Sequence, residues 1–280
     1  MNFNHAFHKA NHSLKPDRFF KYQKQLILNM VHELSMGVAN RPRDDKVSDG
    51  GDDAWFITNS VINAIGVADG VGSWRSRGIN AGECARELME LCRKQFIDNL
   101  DISTTSVLEY SIPKLRSAGS TTVLIAKITE EGFLSIAQIG DSDLVVFRRN
   151  FVAFQTLPQQ HRHNLPYQVG RSEPDSASDA QTYELSVEVG DIIVLGTDGL
   201  WDNLYASQVL NLITEATDKS PAALARLLAD RAYVASNQDN IWSPFAQRAY
   251  EQGIIKNKDF ESHLGGKPDD ITVVVCRVSE

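Results

Sequence analysis

Five apolar, β-type runs in this chain each carry aspartate at one end. Asp52-Asp53 opens the run 54–58, and Asp69-Gly70 closes the run 62–68. Gly140-Asp141 closes 133–139, Asp198-Gly199 closes 191–197, and Asp269-Asp270 opens 271–278. A single Asp-Gly after an apolar run is an ordinary hairpin turn, and a single Asp before a helix is an ordinary cap. Five such ends, with Asp198 and Asp202 also one helical turn apart, are poorly explained by turns alone. If they gather on one rim, they repel one another unless a cation compensates. Carboxylate, carbonyl and water oxygens suit Mg2+ or Mn2+.

The runs themselves limit the fold. Strands are expected at 54–58, 62–68, 121–128, 133–139, 144–148, 182–185, 191–197 and 271–278. Helices are expected at 80–99, with apolar residues at 84, 85, 88, 91, 92 and 96, and at 107–116, 206–216 and 220–236. In the last of these, Ser220 stands as cap and Pro221 in the first turn. Strands do not alternate strictly with helices, and 54–68 and 121–148 read as hairpins and meanders. Antiparallel sheets with long helices laid over them follow: an α+β layered domain rather than a doubly wound parallel sheet.

Residues 1–45 differ in character from the remainder. Segment 1–40 holds Lys9, Lys15, Arg18, Lys21 and Lys24 against only Asp17 and Glu33. It reads either as a mitochondrial targeting leader or as an arm packed on the domain, and 25–31 as a helical turn or an edge strand. Residues 46–280 read as one domain. A formal charge of −8 argues against a nucleic-acid partner. No apolar run approaches the roughly 18–20 residues of a membrane span. Cys84, Cys92 and Cys276 show no Cys-x-x-Cys spacing, and Cys84 and Cys92 fall on the apolar face of the 80–99 helix as buried small hydrophobes. A mitochondrial or cytoplasmic monomer is expected.

The chain has no Gly-x-Ser-x-Gly and no Walker loop. Clustered Asp without a protein nucleophile points to a metal-activated water and a phosphate ester or anhydride.

The motifs Val67–Gly72, Ala118–Thr122, Ile139–Ser142, Leu195–Asp202 and Lys267–Val273, in that order, resemble the motif set of the metal-dependent type 2C protein serine/threonine phosphatases. Asp69–Trp74 and Gln159–Tyr167 are similar to the small branch that includes the mitochondrial type 2C phosphatases of yeast and animals. The resemblance covers residues 46–280. It implies a four-layer α/β/β/α fold, a central antiparallel β-sandwich flanked by helices on both faces. It also implies hydrolysis of phosphoserine and phosphothreonine in phosphoprotein substrates by a metal-bridging water, with two Mg2+ or Mn2+ ions and a weaker third. By the same resemblance, Asp69 bridges two ions and the Gly70 carbonyl holds one of them. Asp198 and Asp269 hold the other, and Asp53, with Asp52 beside it, supports the first. Asp141 and Asp202, with Asp198, match the third position, while Asp270 opens its strand rather than ligating.

Two departures accompany the resemblance. Relatives often carry His where this chain has Val71, and an Arg upstream where it has Lys46–Gly51. Candidate phosphate contacts are Arg75, preferred for its bidentate fork, then Lys46 and His161. The rival reading is a pseudophosphatase that uses the fold as a phosphopeptide- or partner-binding module.

Overall fold

A computed structural model of the chain describes residues 33–173, 175–255 and 264–279. The stretch 25–31 and the rest of the basic leader before residue 33 lie outside the described residues. Two five-stranded antiparallel sheets stack face to face. Sheet one runs β1 (Glu33–Arg41), β14 (Ile271–Ser279), β13 (Ile192–Gly196), β7 (Asp143–Arg148) and β8 (Phe151–Gln155). Sheet two runs β12 (Gln181–Ser186), β6 (Phe133–Ile139), β5 (Val123–Ile128), β3 (Ala64–Asp69) and β2 (Asp53–Ile57). Two short pairs complete the strands: β4 (Ser120–Thr121) with β11 (Val169–Gly170), and β9 (Gln160–Arg162) with β10 (Leu165–Pro166).

Successive side chains on a strand point to opposite faces, so a strand covered on both sides reads as a continuous apolar run. Ile65, Val67, Leu124, Ala126, Leu134 and Ile136 of sheet two meet Leu144, Val146, Ile193, Leu195, Val274 and Cys276 of sheet one. Their odd-numbered or even-numbered neighbours face outward and are covered by helices. Ala64, Ala68, Val123, Ile125 and Ile139 pack under α1 (Ala81–Asp98) and α2 (Thr104–Ser111). Val145, Val194, Val273 and Val275 pack under α3 (Asp198–Trp201), α4 (Ala206–Glu215) and α5 (Pro221–Ser236). The order is helix, sheet, sheet, helix, as the α+β expectation requires.

Local chemistry explains the element ends. The Asn80 side chain accepts from Gly82 N at 3.0 Å and starts α1. Helix α2 begins earlier than the 107–116 pattern suggests, because the Ser103 hydroxyl caps Ser106 N at 3.1 Å, and it stops ahead of Pro113. The strand β1 was not among the expected strands. Nine of its residues pair with β14, from Glu33 opposite Ser279 to Arg41 opposite Ile271, so sheet one takes in part of the 1–45 segment. Among the described residues no helix is long and apolar enough to cross a membrane. All three cysteines are buried free thiols, and burial pushes those of Cys84 and Cys92 up to about 12.

Candidate active site

Antiparallel pairing brings the acidic strand ends to one rim. Asp53, first in β2, lies directly opposite Asp69, last in β3. In sheet one Gly196 lies opposite Asp143 and Val273, so Asp198 emerges beside Asp141 and the Asp269–Asp270 pair. The sheets are tied at this rim by Thr197, whose hydroxyl donates to Asp53 Oδ2 at 2.8 Å and accepts from Thr272 N at 3.0 Å. The Thr122 hydroxyl accepts from Asp69 N at 3.0 Å. Helix α3 can enter so close to the last strand because residue 199 is Gly: a Cβ there would lie 2.0 Å from the Asp270 carbonyl oxygen. Asp202 follows one turn later, its N–H on the Asp198 carbonyl at 2.7 Å.

A cleft of about 360 Å³ opens on this rim, lined by Asp69, Gly70, Asp198 and Asp269 and by the cations Arg43, Lys46 and Lys267. Two lysines sit among the carboxylates. Lys46 Nζ lies 2.9 Å from Asp52 Oδ2, 2.7 Å from Asp270 Oδ2 and 3.7 Å from Asp269 Oδ1, and its side chain is only 4% exposed. Lys267 Nζ is bonded to Asp198 Oδ2 and lies 2.7 Å from Asp202 Oδ2 and 3.3 Å from Asp269 Oδ2. Arg248, from α6 (Pro244–Glu251), is bonded to Asp202 Oδ1.

The carboxylates respond differently to this field. Burial, then the charge of Asp198, lifts Asp69 well above the ordinary carboxylate range. Burial, then Asp270, does the same to Asp53. Burial and Asp198 push Asp141 up to about 6, and burial pushes Asp143 up to about 7. Asp269 is raised by burial and Asp198 against the pull of Lys267. Burial would raise Asp198 too, but the Lys267 ammonium outweighs it and holds Asp198 below its ordinary value. The eight rim carboxylates Asp52, Asp53, Asp69, Asp141, Asp198, Asp202, Asp269 and Asp270 meet four cations, Lys46, Arg75, Arg248 and Lys267. Carboxylates therefore outnumber the cations that pair with them on this rim.

Among the described residues no three carboxylate, imidazole or thiol groups converge as a preformed metal cage. Several of these carboxylates instead close on the two ammonium groups. The donor set nonetheless fits a hard cation. Asp53 Oδ1, Asp141 Oδ1 and Asp198 Oδ1 are all buried without a hydrogen-bond partner, a costly condition unless a ligand satisfies them.

The Protein phosphatase 2C family model matches residues 38–232. The chain belongs to the protein phosphatase 2C family. It is 36% identical over 250 residues to "Probable protein phosphatase 2C 71" of Oryza sativa subsp. japonica, covering 88% of this chain and 52% of that one. It is 34% identical to "Protein phosphatase PTC7 homolog" of Danio rerio, covering 82% of each. The chain thus spans about half the length of the rice relative. Its fold is similar to that of the photosystem II phosphatase PBCP, with a TM-score of 0.83 and 31% identity over 88% of this chain and 99% of that one. At 17% identity and a TM-score of 0.61, covering 89% of this chain and 100% of that one, the PstP catalytic domain, solved with two manganese ions, shares the fold.

In this family setting the sequence candidates separate. Asp53, Asp69, Gly70, Asp141, Asp198, Asp202 and Asp269 all reach the rim. Asp270 is spent on structure: its oxygens accept from Arg43 N at 2.7 Å, Asp52 N at 2.9 Å and Lys46. Arg75 does not line the cleft. Its fork is engaged with both oxygens of Asp52, at 2.8 and 3.0 Å, and with Asp49 at 2.9 Å. His161 also turns elsewhere, stacked on Tyr167 at 3.9 Å and hydrogen-bonded to Asp175 at 2.9 Å. Sequence reasoning passed over Arg43, Lys267 and Arg248. Lys267 was inside a quoted motif, and its neighbours Pro268 and Asp269 were the available signal. Arg43 lies only three residues before Lys46. Arg248 sits on a helix whose Ser243-Pro244 start is a readable cap.

Proposed function

We propose that the chain hydrolyses phosphoserine and phosphothreonine in proteins, with Mg2+ or Mn2+ held at the acidic rim. The observation that carries this reading is the pair of unpartnered buried oxygens on Asp53 and Asp198, on a rim where carboxylates outnumber the cations that meet them. Asp69, Asp198 and Asp269, with the Gly70 carbonyl and Asp53 in support, are the residues assigned to hold two ions. Bound divalent ions supply the activation of water and the neutralisation of phosphoryl charge that such chemistry needs.

The chain's own groups do the remaining work. The Asp270 side chain fixes the backbone of Arg43 and Asp52, and so sets the entrance of the cleft. Arg43 keeps its guanidinium at the cleft edge, held by Asp45 at 2.6 and 2.9 Å. A phosphate dianion can compete for that exposed fork, because guanidinium binds phosphate oxygens in bidentate fashion. Val71 offers no proton to the leaving serine or threonine oxygen, unlike the His that relatives often carry at this position. The test is hydrolysis of p-nitrophenyl phosphate and of a phosphothreonine peptide with Mn2+ and with excess chelator. Activity that survives the chelator unchanged overturns the reading, since the nucleophile it requires is a metal-activated water.

A further inference from the structure

Asp141, Asp198 and Asp202 match the third, weaker metal position of the family, and the structure fits them poorly to that task. Both oxygens of Asp202 already carry a cation, Arg248 on Oδ1 and Lys267 on Oδ2. Asp198 Oδ2 is bonded to the same Lys267 ammonium. Asp141 Oδ2 accepts from Gln160 Nε2 at 2.7 Å. Mg2+ demands oxygen ligands at roughly 2.0–2.1 Å in near-octahedral array. Asp141 Oδ1 and Asp198 Oδ1 remain bare, but an ion that also took Asp202 as a ligand would have to displace an ammonium and a guanidinium from it.

The lysine is built into this place by its backbone. Asn203, itself buried, brackets residue 267: its Oδ1 accepts from Lys267 N at 2.8 Å and its Nδ2 donates to Lys267 O at 2.9 Å. The same Nδ2 donates to the Gly199 carbonyl at 2.9 Å, which ties the bracket to the start of α3. Pro268 restricts residue 267 to extended backbone. Gly266 lets the loop lie against the end of α5, where a Cβ would stand 2.1 Å from the Ala235 carbonyl oxygen. Three constraints thus aim one side chain at three carboxylates.

We propose that Lys267 is a built-in cation standing in for the third metal ion, so that this chain binds two divalent ions and no third. The proposal rests on the two-ion reading above. A covalently attached charge has an effective concentration that free millimolar Mn2+ cannot match, and Arg248 reinforces it from α6.

Equilibrium dialysis of Mn2+ against the full chain, with a melting curve at each concentration, tests the idea. Wild type is expected to saturate at two ions per chain, and Asp202→Asn to leave that number unchanged. Lys267→Met, of similar length without charge, is expected to gain a third, weaker ion. That ion should raise the melting temperature at millimolar Mn2+ and disappear in the double variant Lys267→Met/Asp202→Asn. Two ions in a folded Lys267→Met overturn the proposal. If Lys267→Met does not fold, wild type and Asp202→Asn still decide: a weak third ion in wild type that Asp202→Asn loses overturns it, and two in both supports it. Wild type that binds no Mn2+ overturns the two-ion reading itself.

Discussion

Lys46 is where the structure departs most usefully from a reading of the sequence alone, and Lys46→Met makes the difference measurable. As a substrate contact, Lys46 would be free to meet a phosphate. In the structure its ammonium is buried between Asp52 and Asp270, at 2.9 and 2.7 Å, with Asp269 at 3.7 Å. Burial alone would lower its pKa, but the hydrogen bonds to Asp270 and Asp52 outweigh burial and raise it above the ordinary lysine value. Met fills much the same volume and removes the charge. Among the described residues, Asp52 then keeps Arg75 as its one cation partner, and Asp270 keeps two backbone N–H donors. Removing one partner of a buried ion pair costs about 3–5 kcal/mol. For 280 residues at roughly 2.1 cal/mol/K each, that is a fall in melting temperature of about 5–9 °C.

The pH dependence fixes the sign. Burial raises Asp52, but hydrogen bonds from Arg75 and Lys46 win and hold it below its ordinary value. Its pairing therefore contributes stability above the unfolded value of about 3.9 and loses it as pH falls through the lower folded value. The gap between wild type and Lys46→Met should be full at neutral pH in chelator and close in strong acid. Differential scanning fluorimetry over a pH series reads it. Equal melting at neutral pH, together with a raised KM for phosphopeptide, would show Lys46 to be a substrate contact and refute the argument.

Asp69→Asn is expected to lose nearly all turnover with Mn2+, whereas Asp270→Asn keeps turnover but loses about 1–3 kcal/mol of stability through a mismatched buried acceptor. Kinetics beside chemical denaturation check both, and equal loss of turnover would mean that the last motif is misread by one residue. Arg43→Ala should raise KM for a phosphothreonine peptide several-fold with little change in kcat, and Arg75→Ala should lower the melting temperature while sparing KM; steady-state kinetics showing the reverse would return the phosphate to Arg75. Asp143, raised by burial to about 7, lends the folded state stability at low pH that is lost as pH rises through that value. Asp143→Asn should therefore flatten the stability curve of the metal-free protein between about pH 4 and 7, and a fluorimetric pH series unchanged by the substitution would contradict the burial argument.

Much of the fold was legible because both sheets are covered on both faces. The runs 123–128, 133–139 and 192–196 are long enough in Val, Ile and Leu to stand out, and α1 carries a helical stripe from Cys84 to Phe96. Edge strands were harder to see. In β1, Gly37, Ala39 and Asn40 dilute the apolar signal, and the strand exists because β14 offers it a complete ladder. The strand β8 is almost wholly exposed, and its hairpin turn uses Arg149 and Asn150 at φ of 46° and 68° rather than the Asn-Gly that marks such turns in sequence. Helix α6 lacks a long stripe, and only its Ser-Pro start announces it.

The site was legible in its acids and opaque in its bases, and the reason is physical. The carboxylates at the rim are placed by strand ends, with Asp202 one helical turn beyond Asp198, which a local pattern can reveal. Each cation reaches its partners across the chain: Lys46 to Asp270 spans 224 residues and Lys267 to Asp198 spans 69. No periodicity carries that information. Yet the cations decide what the acids can do. Asp270 and Asp202 have the same side chain as Asp69, but the first is engaged with Arg43, Asp52 and Lys46 and the second with Arg248 and Lys267. Asp53, Asp141 and Asp198 each retain a bare oxygen, and Asp53 and Asp141, with Asp69 and Asp269, are pushed towards protonation. Capacity for a metal at this rim therefore follows from which carboxylates the fixed cations leave unsatisfied, not from how many aspartates the strands deliver.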